Sequence, residues 1–73
     1  KQLADITYIR DTVGLDYLPE LLSEVAQVRL EMPDATLKEL GENLSHPVGK
    51  SGVNHRLRKI SAVAESLREE RGE

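Results

Sequence analysis

Hydrophobic residues recur every three or four positions in four stretches of this chain, and breakers separate each stretch from the next. Residues 2–13 put Leu3, Ile6, Ile9 and Val13 on one stripe of a helix, with Asp5 and Asp11 on the other side. Gly14 stops it. A second helix, 19–32, opens at Pro19, whose missing N–H suits a first turn, while Glu20 meets the helix dipole favourably. Its apolar positions are Leu21, Leu22, Val25, Val28 and Met32. Pro33 ends it, because the residue before a proline is biased away from helical geometry.

The third helix, 36–44, has the clearest start: Thr36 and Glu39 form a capping box, and Ala35 and Leu40 are spaced as a hydrophobic staple. Leu37, Leu40 and Leu44 face inward. Gly41 lies mid-helix, where glycine costs about 1 kcal/mol relative to alanine. A second helix crossing too closely for any side chain is the expected offset. Ser45 to Lys50, with Pro47 and Gly49, reads as a turn, and Ser51 as the N-cap of a fourth helix, 51–69. Val53, Leu57, Ile60, Ala64 and Leu67 form its apolar seam, and the mixed charges of SLREERGE are expected to fray. No strand periodicity, hairpin signal or repeat interrupts this pattern. The fold class expected is an all-α small helical bundle containing a helix-turn-helix.

Composition narrows the function. Seventy-three residues make one small domain, whose stability must rest on close helix packing. There is no cysteine, hence no disulfide framework and no thiolate zinc site. The roughly 18 consecutive apolar residues of a membrane span are missing, and the start KQLAD lacks a signal peptide's apolar block. A cytoplasmic protein is expected, and the missing initiator Met suggests a fragment or a processed chain.

Charge is unevenly placed within a net of -3. Residues 1–45 carry four cations and nine acids, residues 46–60 four cations and no acid, and residues 61–73 two cations and four acids. The cationic block is KSGVNHRLRKI at the start of the fourth helix. With the seam turned inward at about 100° per residue, Ser51, His55, Arg58, Lys59 and Ala62 face outward. Asn54 lies on one flank and Arg56 nearer the opposite boundary, where its stem can cover apolar surface.

A short capped helix, a turn held by Pro47 and Gly49, and a helix with a basic amino-terminal face together read as a helix-turn-helix, whose second helix enters the major groove. Arginine or lysine can bond guanine O6 and N7, asparagine can bond adenine N6 and N7, and a helix amino terminus can take a phosphate oxygen. Of the outward and flanking side chains, Arg58, Lys59 and Asn54 have the groups for such base contacts. Lys50, Ser51 and Arg56 are the phosphate candidates. If the four cations all neutralised phosphates, the log–log salt slope would be only about -3.6, so the expected binding is weak and salt-sensitive.

Other classes fit less well. A cationic helical face is often just solvated, which leaves a protein-interaction module, docking through the acidic first and second helices, as the main rival. The first helix could also serve a homodimer or an interface with a further domain. His46 and His55 are nine apart with no acid between them, so no metal site is expected. No nucleophile–base–orienter set exists, so neither an enzyme nor a cofactor is expected.

The run LPELLSEVAQVRLEMPDATLKELGENLSHPVGKSGVNHRLRKISAVAESL resembles the carboxy-terminal helix-turn-helix domain of the WhiA family of bacterial sporulation and cell-division transcription regulators. The segment ITYIRDTVGLDYLPELL is similar to the lead into that domain. The resemblance implies a DNA-binding domain like region four of primary sigma factors, preceded by a LAGLIDADG-like domain without nuclease activity. On it, residues 1–15 would be a leading helix or linker to that missing domain, and residues 16–73 the helix-turn-helix domain. It also implies promoter DNA as partner, a nucleoid location and a possible link to the RNA polymerase sigma factor. Asn54, His55, Arg58 and Lys59 fall at the base-reading positions of the sigma comparison. His55 departs from its acidic pattern, so sigma-type promoter specificity does not carry over.

Overall fold

The computed structural model describes residues 1–72, and the helices fall where the hydrophobic periodicity puts them. They are α1 (Gln2–Thr12), α2 (Glu20–Glu31), α3 (Leu37–Glu42) and α4 (Lys50–Glu70). A short 3-10 turn, Leu15–Tyr17, which no periodic signal announced, links α1 to α2. No strand occurs among the described residues. The four helices end within two residues of the expected bounds, and each end has a local cause.

At the end of α1, the Val13 and Gly14 amides both donate to the Ile9 carbonyl, and Gly14 takes φ +86°, a left-handed conformation that glycine adopts without steric cost. Pro19 is the N-cap of α2 and not its first helical residue. The capping box of α3 is complete: Glu39 N–H donates to Thr36 Oγ1 at 3.1 Å, and Thr36 N–H to Glu39 Oε1 at 2.8 Å.

One core holds the helices together. Ile6 and Ile9 from α1, Leu22, Val25, Ala26 and Val28 from α2, Leu40 from α3 and Leu44 after it are buried against the α4 seam of Val53, Leu57, Ile60, Ala64 and Leu67. α4 packs on all three others, and more extensively than α2, which also meets each of them. Burying a side chain of this kind contributes about 1.5–3 kcal/mol, so the seam is the largest single apolar element of the fold.

Several inward assignments are corrected. Val13 caps α1 and is 39% exposed, and Leu21 is 56% exposed at the start of α2, just beyond the cover of the neighbouring helices. Asp5, expected in solvent, is only 1% exposed. Its carboxylate accepts from Arg68 Nη1 at 2.8 Å and from Lys1 Nζ at 3.3 Å, joining the first and last helices. The Arg68 guanidinium also lies over the Tyr8 ring, 4.6 Å from its centroid, a cation–π arrangement. This anchor, with Leu67 buried beside it, carries α4 through to Glu70 where fraying was expected. Glu73, the last residue of that expected fraying segment, lies outside the described residues.

Burial pushes the Asp5 carboxyl up, but hydrogen bonds from Arg68, Ser61 and Lys1 together outweigh it and hold it below its ordinary value. A depressed folded-state pKa gives stability that is complete above the unfolded value and is lost as pH falls through the folded one. Urea melts of wild type and Asp5→Asn should therefore differ most above about pH 4 and converge below it. A gap that widens with acid would contradict the assignment.

The mid-helix Gly41 is explained first by the backbone of the turn that precedes α4 and second by α4 itself, the close neighbour expected. A Cβ built on Gly41 would lie 2.1 Å from the Val48 carbonyl oxygen and 3.2 Å from Val53 Cγ2. Since the obstacle is backbone, Gly41→Ala must displace the turn that leads into α4. Overpacking of this kind costs about 1–3 kcal/mol, which a urea melt would register; an unchanged midpoint would refute the close approach.

Candidate nucleic-acid interface

The turn between α3 and α4 sets the attitude of the basic helix. It folds back over α3, the Val48 amide donating to the Gly41 carbonyl at 3.3 Å while its own carbonyl covers the bare Gly41 Cα. From the other side Glu24 of α2 accepts the Ser45 amide at 3.0 Å and the Ser45 hydroxyl as well. Those two bonds, with His46 and Arg56 nearby, hold the Glu24 carboxyl below the usual glutamate range. The turn is thus pinned to both preceding helices.

α4 begins one residue earlier than the charge and cap pattern suggested. Gly49 is its N-cap and makes no side-chain cap bond, so Ser51 is not the cap: it lies within the first turn, exposed. Lys50 is likewise exposed, and no acidic residue occupies that first turn. The unpaired amides of the helix start, the Ser51 hydroxyl and the Lys50 ammonium therefore share one end of the helix.

Further along, His55, Arg58 and Lys59 are exposed, and Asn54 and Arg56 are half-buried. At about 100° per residue, His55 and Arg58 straddle the direction opposite the seam, Asn54 stands to one side and Lys59 to the other. Four of the seven candidates form one outward arc, Asn54–Arg58–His55–Lys59. Lys50 and Ser51 lie at its amino-terminal end. Arg56 lies further round, on the flank turned toward α2, where with His55 and Lys59 it lines a groove against Pro19, Leu21 and Leu22.

The leading helix does not cover this arc. Lys1 and Gln2 approach α4 beside Arg58, Ser61 and Glu65, with Lys1 Nζ 3.8 Å from Glu65 Oε1, and Arg58 remains exposed. Acid reappears on α4 only at Glu65, so the acid-free stretch from Lys50 occupies its first four turns. Among the described residues, no group of three or more His, Cys, Asp or Glu is placed to hold a metal ion. No helix among them is long and apolar enough to cross a membrane.

Sequence reasoning missed two contributors. Glu24 acts across 21 positions, and no local pattern links a glutamate on α2 to a serine in a later turn. The Val48 carbonyl is a backbone group and has no sequence signature, although Gly41 marks the space it needs.

Comparison with known proteins places the chain in a family. The family described as the WhiA C-terminal HTH domain matches residues 1–64. A "Probable cell division protein WhiA" of Alkaliphilus oremlandii is 64% identical over 69 residues, covering 94% of this chain and 22% of that protein. Its namesake in Thermoanaerobacter sp. (strain X514) is 59% identical over 71 residues, covering 97% and 22% respectively. Another in Moorella thermoacetica is 57% identical over 68 residues, covering 93% and 22%. The chain thus spans about a fifth of the length of the curated relatives it matches. No solved structure matches it. With a turn-linked helix pair on a single core and a match over most of its length, the chain belongs to the WhiA family, within its C-terminal helix-turn-helix domain.

Proposed function

We propose that this domain binds double-stranded DNA in a sequence-specific manner as part of a bacterial transcription regulator, with the amino-terminal half of α4 in the major groove. Asn54, His55, Arg58 and Lys59 read base edges; Lys50, Ser51 and Arg56 hold phosphates. One observation carries the reading: the face of α4 opposite its buried seam is exposed, cationic and free of acid over its first four turns.

Electrostatics bound how the domain works. The surrounding protein is acidic, and even with all four cations on phosphates the salt slope would reach only about -3.6, so the isolated domain binds weakly. The rest of the full-length protein, including a LAGLIDADG-like domain, and an RNA polymerase partner on the same promoter would raise the effective concentration at the site. Arg56, with Glu24 close by, is the weakest of the phosphate contacts.

Two substitutions separate the roles. Arg58→Ala should weaken a preferred duplex by about 1–3 kcal/mol and relax discrimination at one base pair, as read by fluorescence anisotropy on matched and mismatched duplexes. Equal binding by wild type and variant would remove Arg58 from the base-reading set. Lys50→Ala should weaken all duplexes alike and reduce the salt slope by about one. Loss confined to one sequence would show that Lys50 reads a base.

A further inference from the structure

Leu21 is the most unexpected residue of α2. Its place in the apolar repeat calls for burial, yet it is 56% exposed. An exposed leucine alone means little, since folded proteins leave much apolar surface in water. Its surroundings give it meaning. On one side Leu21 lines a groove with Pro19, Leu22, His55, Arg56 and Lys59. On the other it lines a second groove with Glu20, Glu24, Ser45 and His46. It is therefore an apolar ridge with three nitrogen-bearing side chains of α4 along one edge and, along the other, the α2 carboxylates of Glu20 and Glu24, the latter held by Ser45, with His46 beside them.

A ridge between two grooves suits a packed helix, whose side-chain rows settle into such grooves. A bound duplex suits it poorly: the carboxylates of Glu20 and Glu24 on the far edge would face phosphates, and Leu21 has no polar group to offer a backbone. We propose that the Leu21 ridge docks an amphipathic helix of a protein partner, whose apolar residues cover Leu21 and Pro19 and whose carboxylates face His55, Arg56 and Lys59. Charge complementarity along that edge sets the orientation, and burial of Leu21 supplies the affinity. This surface shares His55 and Lys59 with the base-reading arc and Arg56 with the phosphate contacts, while Leu21 and Pro19 lie outside both.

The test uses a fluorescent amphipathic helical peptide with leucines on one face and glutamates along one edge. Three readouts are taken on wild type and Leu21→Ser: anisotropy of the peptide, anisotropy of a duplex, and sedimentation velocity. Leu21→Ser is at an exposed site, and circular dichroism checks that it remains folded. The expected result is at least roughly tenfold weaker peptide binding by Leu21→Ser, with duplex binding within about twofold of wild type. A peptide with lysines in place of the glutamates should bind no better than a scrambled one. Equal peptide binding by wild type and Leu21→Ser, or equal binding of the lysine peptide, overturns the proposal. A dimer of wild type that Leu21→Ser abolishes would assign the ridge to a second copy, and a matching loss of duplex binding would assign it to DNA; either overturns it. Failure of Arg58→Ala to affect duplex binding would instead strike the DNA-binding reading and leave this one standing.

Discussion

Everything in this small domain is oriented by the apolar seam of α4. Val53, Leu57, Ile60, Ala64 and Leu67 are each at most 5% exposed, and together they meet all three other helices. A helix held along one stripe over most of its length cannot rotate without exposing several of these side chains at about 1.5–3 kcal/mol apiece. The outward direction of His55, Arg58 and Lys59 is thus fixed by residues buried on the opposite face.

Contacts at each end of the seam then set the tilt of α4. At its amino end the Val48 carbonyl sits over Gly41 and the Glu24 carboxylate holds Ser45, so the turn entering α4 has little freedom. At its carboxy end Arg68 reaches the buried Asp5 and stacks on Tyr8, both on α1. A buried ion pair is weak evidence of net stability, because desolvation offsets the attraction. Its geometric role is clearer: the register of α1 against α4 that gives Asp5 its partners also brings Ile6 and Ile9 into the core and leaves Arg58 uncovered.

Much of this was legible from spacing alone. Four helices, the α4 seam and the outward arc follow from a 3.6-residue period and need no knowledge of tertiary contacts. Assignments went astray where a distant group decides the outcome. Asp5 looks like a solvent residue because its strongest partner, Arg68, is 63 positions away. Leu21 looks buried because periodicity does not say where the covering helices stop. Ser51 looks like a cap because serine favours that role, yet the chain turns helical at Lys50 and Gly49 takes it. Gly41 correctly signals a close approach, but a carbonyl in a turn and a crossing helix leave the same mark in a sequence.

Chemical-shift mapping with a duplex selected from a random pool tests the central claim most directly, since it reads every amide at once. The account expects perturbations concentrated in residues 45–62, strongest from Lys50 to Lys59, with little change on the exposed face of α2. Perturbations confined to residues 1–32, or none at any duplex concentration, would contradict it.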